Sequence, residues 1–228
     1  MPIDYFGYHH PLIRVKTFFS LKARRKMFSR FTELYSPDAA TKVLDLGTTP
    51  DMKLDDSNYF VKQYPWKNNL TIASIEDCSE LADKYSLKNF VRISPKKELP
   101  FRNKEFDILH CSAVLEHCGT REDQKFLLVE CLRVAREVFI TTPNRWFPLE
   151  MHSFIPFLHW LPWKWFQRIV SPIRNGFWAD INNLNLLCRK DILRMSSEVE
   201  VSFIRIASMR SNIIITRIPD KVDHPVSS

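Results

Sequence analysis

The sequence predicts an α/β fold: a doubly wound, seven-stranded, mostly parallel sheet with an antiparallel last strand and an aromatic-rich helical insertion after the fifth strand. Three observations predict it. Short β-like runs alternate with helical stretches between residues 42 and 141. The last two apolar runs, 199–206 and 213–217, are separated by a short polar link only. Between these two regions, 144–197 is crowded with Trp, Phe and Pro.

Residues 12–35 mix Leu12, Ile13, Val15, Phe18, Phe19, Leu21, Met27, Phe28, Phe31 and Leu34 with seven cations, at spacings of three and four. That pattern predicts one amphipathic helix or two short ones. Ser36-Pro37-Asp38 ends it, so 1–40 reads as a basic amphipathic segment and 41–228 as the main domain. Strand one is expected over 42–46, ending at Gly47, and strand two over 70–75, followed by acids and a helical stretch near 80–85. Strands three, four and five are expected over 89–93, 106–111 and 138–141, the last stopped by Pro143. A helix lies before strand five. Thr120 caps it, Asp123 sits in its first turn, and Leu127, Leu128, Cys131, Leu132 and Ala135 share one face. Strands interleaved with helices pair in parallel; the short link near the end makes an antiparallel hairpin.

The bulk numbers narrow the function class. A chain of 228 residues, 45% apolar and 26% charged, has the size and balance to bury its own core. The start, Met-Pro-Ile-Asp-Tyr, has neither a basic leader nor an apolar run, and no stretch is apolar enough to span a bilayer. Cys78, Cys111, Cys118, Cys131 and Cys188 are odd in number and form no Cys-x-x-Cys pair, which predicts reduced thiols in the cytoplasm and no metal site. A net charge of +7 permits an anionic membrane or a nucleic acid as partner; the sequence carries no nucleic-acid-binding module, which argues against the latter.

In open parallel sheets, ligands bind beyond the carboxyl ends of the strands. The residues there are Asp45-Leu46-Gly47-Thr48-Thr49-Pro50-Asp51, then Glu76 and Asp77, then Leu99-Pro100-Phe101, then Cys111-Ser112 with Leu115-Glu116-His117, then Thr141-Thr142-Pro143-Asn144. Val-Leu-Asp-Leu-Gly at 43–47, the acid after strand two, Leu-Pro-Phe-Arg-Asn-Lys-Glu-Phe-Asp at 99–107 and Leu-Glu-His at 115–117 resemble class I S-adenosylmethionine-dependent methyltransferases of the type 11 group. The resemblance covers roughly 40–145 and implies a Rossmann-like fold that binds S-adenosylmethionine. It departs from the family in its glycine-rich loop, reduced here to Gly47, and lacks a counterpart of the acid that meets the adenine amino group.

The resemblance implies roles residue by residue. Asp45, Gly47 and Thr48 line the methionine end of the cofactor; Glu76, or failing that Asp77, accepts both ribose hydroxyls. Leu99 flanks the adenine through backbone and packing contacts. Cys111 and Ser112 lie near the transferred methyl. His152, in the segment after strand five, is the first expected general base and His117 the second. Bland readings stand beside these: Asp45 as a loop cap, Glu76 as a solvated acid, Cys111 as a small buried hydrophobe, His110 as a structural residue, Glu116 and His117 as the start of a helix.

Residues 145–178 hold Trp146, Phe147, Phe154, Phe157, Trp160, Trp163, Trp165, Phe166, Phe177 and Trp178, with Lys164, Arg168 and Arg174 among them. They read either as a lid over the site, within a 145–197 insertion, or as an element lying on an anionic membrane surface. The expected function is methylation, of oxygen before nitrogen or carbon, of a small-molecule, lipid-linked or glycan-precursor acceptor, by a cytoplasmic protein that is peripheral at the membrane if the second reading holds. The alternative, supported by the depleted glycine loop, is a non-catalytic binding or scaffold protein of the same fold.

Overall fold

Alternation along each strand decides how this chain packs, because every strand near the centre carries apolar side chains on both faces. The computed structural model describes residues 13–149, 156–172 and 174–219. Within them the strands are β1 (Val43–Leu46), β2 (Leu70–Ser74), β3 (Asn89–Arg92), β4 (Phe106–Ser112), β5 (Ala135–Pro143), β6 (Val199–Ile206) and β7 (Met209–Arg217). They form one seven-stranded sheet in the order β3-β2-β1-β4-β5-β7-β6. The first five pair in parallel, and β7 runs antiparallel to both β5 and β6. Strand order reverses between β1 and β4, which opens a crevice at their carboxyl ends.

The helices are α1 (Ile13–Tyr35), α2 (Tyr59–Gln63), α3 (Ser79–Lys84), α4 (Arg121–Val134), α5 (Trp163–Val170) and α6 (Arg189–Met195). Leu44, Leu46, Leu109, Cys111, Val138, Ile140, Ile213 and Ile215 face one way, packing with Leu128, Cys131 and Leu132 of α4 and Ile192 and Met195 of α6. Val43, Ile72, Ile108, Phe139 and Ile214 face the other, against Ala23, Met27 and Phe31 of α1, Phe60 and Val61 of α2, and Leu81 of α3. Residues 13–35 thus form a single helix seated on the sheet. Phe31 contacts Phe60, Tyr64, His110 and Phe139 with ring centroids 4.9–6.4 Å away, and Lys26 Nζ donates to the Arg205 carbonyl at 2.8 Å.

Three differences from the sequence expectation bear on the packing. Ala135, expected on the face of α4, is the first residue of β5, which follows the helix with no intervening loop. β7 begins at Met209, four residues early, because a tight turn with positive φ at Ala207 and Ser208 starts the pairing there. The end of the 145–197 insertion, α6, belongs to the core of the sheet. The rest of that stretch builds a small core of its own from Leu158, Phe166, Val170, Trp178, Ala179 and Leu184. Among the described residues no helix is long and apolar enough to cross a membrane.

Candidate functional site

The turn after β1 is shaped by one glycine and a side-chain brace. Gly47 has φ +90°, a conformation L side chains rarely adopt, and a Cβ there would lie 2.2 Å from Val114 Cγ2. The loop after β4 therefore rests directly on the turn after β1. The Gly47 N–H donates to the Ala73 carbonyl at 2.8 Å, and Ser74 Oγ donates to the Thr48 carbonyl at 2.6 Å. Asn58 completes the brace: Oδ1 accepts from Thr49 N–H at 3.0 Å, and Nδ2 donates to the Thr49 and Asp51 carbonyls at 2.8 and 2.9 Å. Side-chain amide bonds thus hold the conformation of a loop that has Gly47 as its one glycine.

Asp45 and His110 are register partners on β1 and β4 and point to the α1 side of the sheet. Asp45 Oδ1 and His110 Nδ1 are 2.6 Å apart, and both residues are buried. The imidazole is stacked on Phe60 at a centroid distance of 3.9 Å and lies nearly parallel to Phe139 at 6.1 Å. One oxygen of Asp45 is therefore committed to structure, and the reading of His110 as structural holds in part: its ring orients Asp45 and borders the cavity beside it.

That cavity has a volume of about 620 Å³, within the ~300–1,000 Å³ of small-molecule sites. Asp45, Gly47, Thr48, Glu76, Leu99, Ser112 and His117 all line it, so the structure brings most of the expected residues together. Two lie elsewhere. Cys111 is fully buried on the α4 side, beside Cys131, because it alternates with His110 along β4; its placement near a transferred methyl is corrected. Asp77 is exposed and accepts from the Ser79 N–H at 3.0 Å, so Glu76 is the acid that borders the cavity. Leu99 needs a narrower reading. Glu130 Oε2 accepts its N–H at 2.7 Å and Arg133 donates to its carbonyl at 2.9 Å, leaving packing as its contribution. His152 lies outside the described residues.

Further polar groups enter the cavity that sequence reasoning missed. Arg24 reaches in from α1, where Met27 and Phe31 at i+3 and i+7 occupy the same face. A cation on the apolar stripe of α1 was the available signal. Burial lowers the Arg24 pKa, and Asp56, Asp45 and Glu116 oppose that shift. Arg24 Nε, Asp56 Oδ1, Ser57 Oγ and Thr49 Oγ1 are all buried without a hydrogen-bond partner. Unmatched buried polar atoms of both signs, grouped at one end of a cavity, are what a zwitterionic ligand group would satisfy. Burial also raises the Glu76 carboxyl pKa, and pushes the cavity-lining Cys118 thiol up to about 12, so Cys118 is a protonated wall residue at neutral pH.

Phe19 of α1 and Phe147, Leu149, His159, Phe177 and Trp178 of the insertion also line the cavity. The loop 182–187 is latched to the floor. Asn185 N–H donates to the Glu116 carbonyl at 2.7 Å, and His117 Nδ1 lies 2.6 Å from the Asn183 carbonyl.

Residues 66–138 match the model of a family described as methyltransferase domain. No curated protein matches the chain. Among solved structures, an S-adenosylmethionine-dependent methyltransferase from Aquifex aeolicus is similar, with a TM-score of 0.52 at 13% identity over 92% of this chain and 95% of that one. A Pyrococcus horikoshii protein gives 0.56 at 11% identity, covering 95% of each chain. An S-adenosylmethionine-dependent methyltransferase from Thermotoga maritima gives 0.55 at 11%, covering 94% and 96%. At these identities the structures speak for the fold: the Rossmann-like sheet with its antiparallel closing strand.

Proposed function

We propose that this chain is a class I S-adenosylmethionine-dependent methyltransferase and that it methylates an oxygen of a small-molecule, lipid-linked or glycan-precursor acceptor; the family match over residues 66–138 and the fold support the first part. The observation that carries the cofactor's placement is the unmatched polar group at the carboxyl end of β1. Arg24 would meet the carboxylate of the cofactor's amino-acid end, and Asp45 and Asp56 its ammonium. Gly47 gives the backbone its close approach, and Thr48 borders it. Glu76 would accept the ribose hydroxyls, and Leu99 and Ile93 would pack on the adenine. When bound, the cofactor supplies a methyl group activated by a sulfonium.

The chain's own residues then have three tasks: to align the acceptor, to exclude water and to remove a proton. Phe147, Phe177 and Trp178 supply an apolar wall for the acceptor. Ser112 and Thr141, joined by a 2.9 Å hydrogen bond, lie at the strand ends where the acceptor would enter. His117, in the cavity, and His152, beyond the described residues, are the histidines we assign to carrying the acceptor's proton away.

The first test is calorimetric titration of the full chain with S-adenosylmethionine and with its demethylated product. One-to-one binding is expected. Its pH dependence follows from Glu76: the ionised carboxylate accepts the ribose hydroxyls, so affinity is full above its pKa and is lost as pH falls through it. Because burial raises that pKa, the loss begins at a higher pH than for an ordinary carboxylate. Glu76→Gln is expected to bind about tenfold or more weakly at neutral pH and to flatten the acid limb. Absence of binding, or an unchanged limb in Glu76→Gln, contradicts the assignment.

A second reading concerns location. Leu161, Trp165 and Ile169 recur every four residues along and just before α5, and all are exposed, Trp165 at 61%. Trp146 and Phe157 add exposures of 57% and 52%. Residues 156–172 contain exposed Lys164 and Arg168 and no acid. We place this face on an anionic lipid surface, with the protein in the cytoplasm and its acceptor drawn from the bilayer. Vesicles of phosphatidylglycerol are expected to sediment the protein at low salt and release it at high salt, with phosphatidylcholine vesicles leaving it in solution. Trp165→Ser is expected to weaken the association several-fold. No binding to anionic vesicles at low salt removes this reading.

A further inference from the structure

The short turn Leu115–His117, which follows β4, carries a carboxylate that the fold has buried and left half matched. Glu116 is 0% exposed. Its Oε2 accepts from Thr142 Oγ1 at 2.8 Å, whereas its Oε1 has no hydrogen-bond partner. The backbone on which it stands is fixed: Gln124 Nε2 donates to the Leu115 carbonyl at 2.9 Å and to the Asn185 carbonyl at 2.8 Å, and Asn185 N–H donates to the Glu116 carbonyl at 2.7 Å. The side chain cannot turn away without breaking its bond to Thr142. A buried carboxylate oxygen is costly to leave unmatched, so a donor is expected to reach it from the cavity that Glu116 lines.

The surroundings specify the donor. Val114, two residues earlier, rests on Gly47, so the Glu116 turn adjoins the turn after β1. Phe147, Phe177 and Trp178 line the same space and suit a flat, apolar molecule. The reaction proposed above is at oxygen, so the donor is taken to be a hydroxyl. His117 supplies a way out for a proton. Its Nδ1 lies 2.6 Å from the Asn183 carbonyl and must carry a hydrogen, which makes Nε2 the nitrogen that gains and loses a proton. Nε2 is 3.9 Å from Glu116 Oε1, and the His117 side chain is 33% exposed.

We infer that Glu116 Oε1 receives the hydroxyl of a phenol-class acceptor and takes its proton during methyl transfer, with His117 returning that proton to solvent. This rests on the methyltransferase reading above. In the step, a lone pair on the acceptor oxygen forms the new C–O bond, and the electrons of the cleaved C–S bond stay on sulfur. The O–H bond breaks and its proton goes to Oε1. The proton then passes to His117 Nε2 and to water, which restores the carboxylate. Oε2 stays on Thr142 throughout, so the carboxylate keeps its orientation.

The test uses the full chain saturated with S-adenosylhomocysteine, titrated with phenol and with anisole, which share a ring and differ in the hydroxyl hydrogen. Phenol is expected to bind about tenfold tighter or more, the size of a hydrogen bond to a charged group. In Glu116→Gln the Thr142 hydroxyl holds the amide oxygen, which puts an NH2 donor where Oε1 stood, and the preference for phenol is expected to disappear. Phenol bound no tighter than anisole by the wild-type chain, undetectable binding included, overturns the assignment, as does a preference retained in Glu116→Gln. The wild-type comparison decides by itself if the variant does not fold. Failure of the wild-type chain to bind S-adenosylhomocysteine overturns the methyltransferase reading instead and is scored separately.

Discussion

Gly47→Ala is expected to lower stability by about 2–5 kcal/mol and to abolish cofactor binding. Two costs add. Forcing a side chain into left-handed backbone costs roughly 1–2 kcal/mol, and overpacking against a neighbour costs roughly 1–3 kcal/mol more. Both apply here, since Gly47 has φ +90° and its Cβ would meet Val114 Cγ2 at 2.2 Å. For a chain of this size the thermal midpoint should fall by on the order of 10 °C. Val114→Ala in the same chain should recover the packing part and leave the backbone part, so the double variant is expected between the single variant and wild type. A Gly47→Ala protein with wild-type midpoint and affinity would show that the turn is not the close-approach point described above.

Phe31→Ala is expected to cost about 3–5 kcal/mol, the range for removing a buried aromatic ring, and also to weaken cofactor binding although Phe31 is absent from the cavity lining. The link is α1. Phe31 is 0% exposed and meets rings from α2, β4 and β5, which seats the helix on the sheet. Arg24, on the same face of α1, enters the cavity by virtue of that seating. Thermal unfolding and titration with S-adenosylhomocysteine measure the two effects together. Loss of stability with unchanged affinity would mean that α1 does not need its Phe31 anchor to present Arg24.

What the sequence could and could not reveal follows from which forces set each feature. Strands β1, β2 and β4 were legible because they are short, mostly apolar runs at the centre of a parallel sheet, broken only by single polar residues such as Asp45 and His110. Ala135 was not, since a small apolar residue fits the last turn of a helix and the first position of a strand equally well. The early start of β7 at Met209 was hidden for a different reason: Met209, Arg210, Ser211 and Asn212 have no strand-like composition and are held by pairing with β6. In the site, residues placed by strand ends (Asp45, Glu76, Ser112) were legible because the fold class locates them. Cys111 was misplaced by neglect of strand alternation, which puts Asp45 and His110 on one face and Cys111 on the other. Arg24 and Asp56 come from a helix and a loop whose approach is a tertiary event; nothing local in Asp55-Asp56-Ser57 distinguishes it from a solvated turn, and the full burial of Glu116, whose place after β4 was legible, is tertiary as well.

The most direct measurement is a crystal structure of the full chain with S-adenosylhomocysteine. The ribose hydroxyls should lie within hydrogen-bond distance of Glu76, with the amino-acid end between Arg24 and Asp45 above Gly47. A nucleoside bound anywhere else, or Arg24 and Glu76 left without contact to it, would contradict the account.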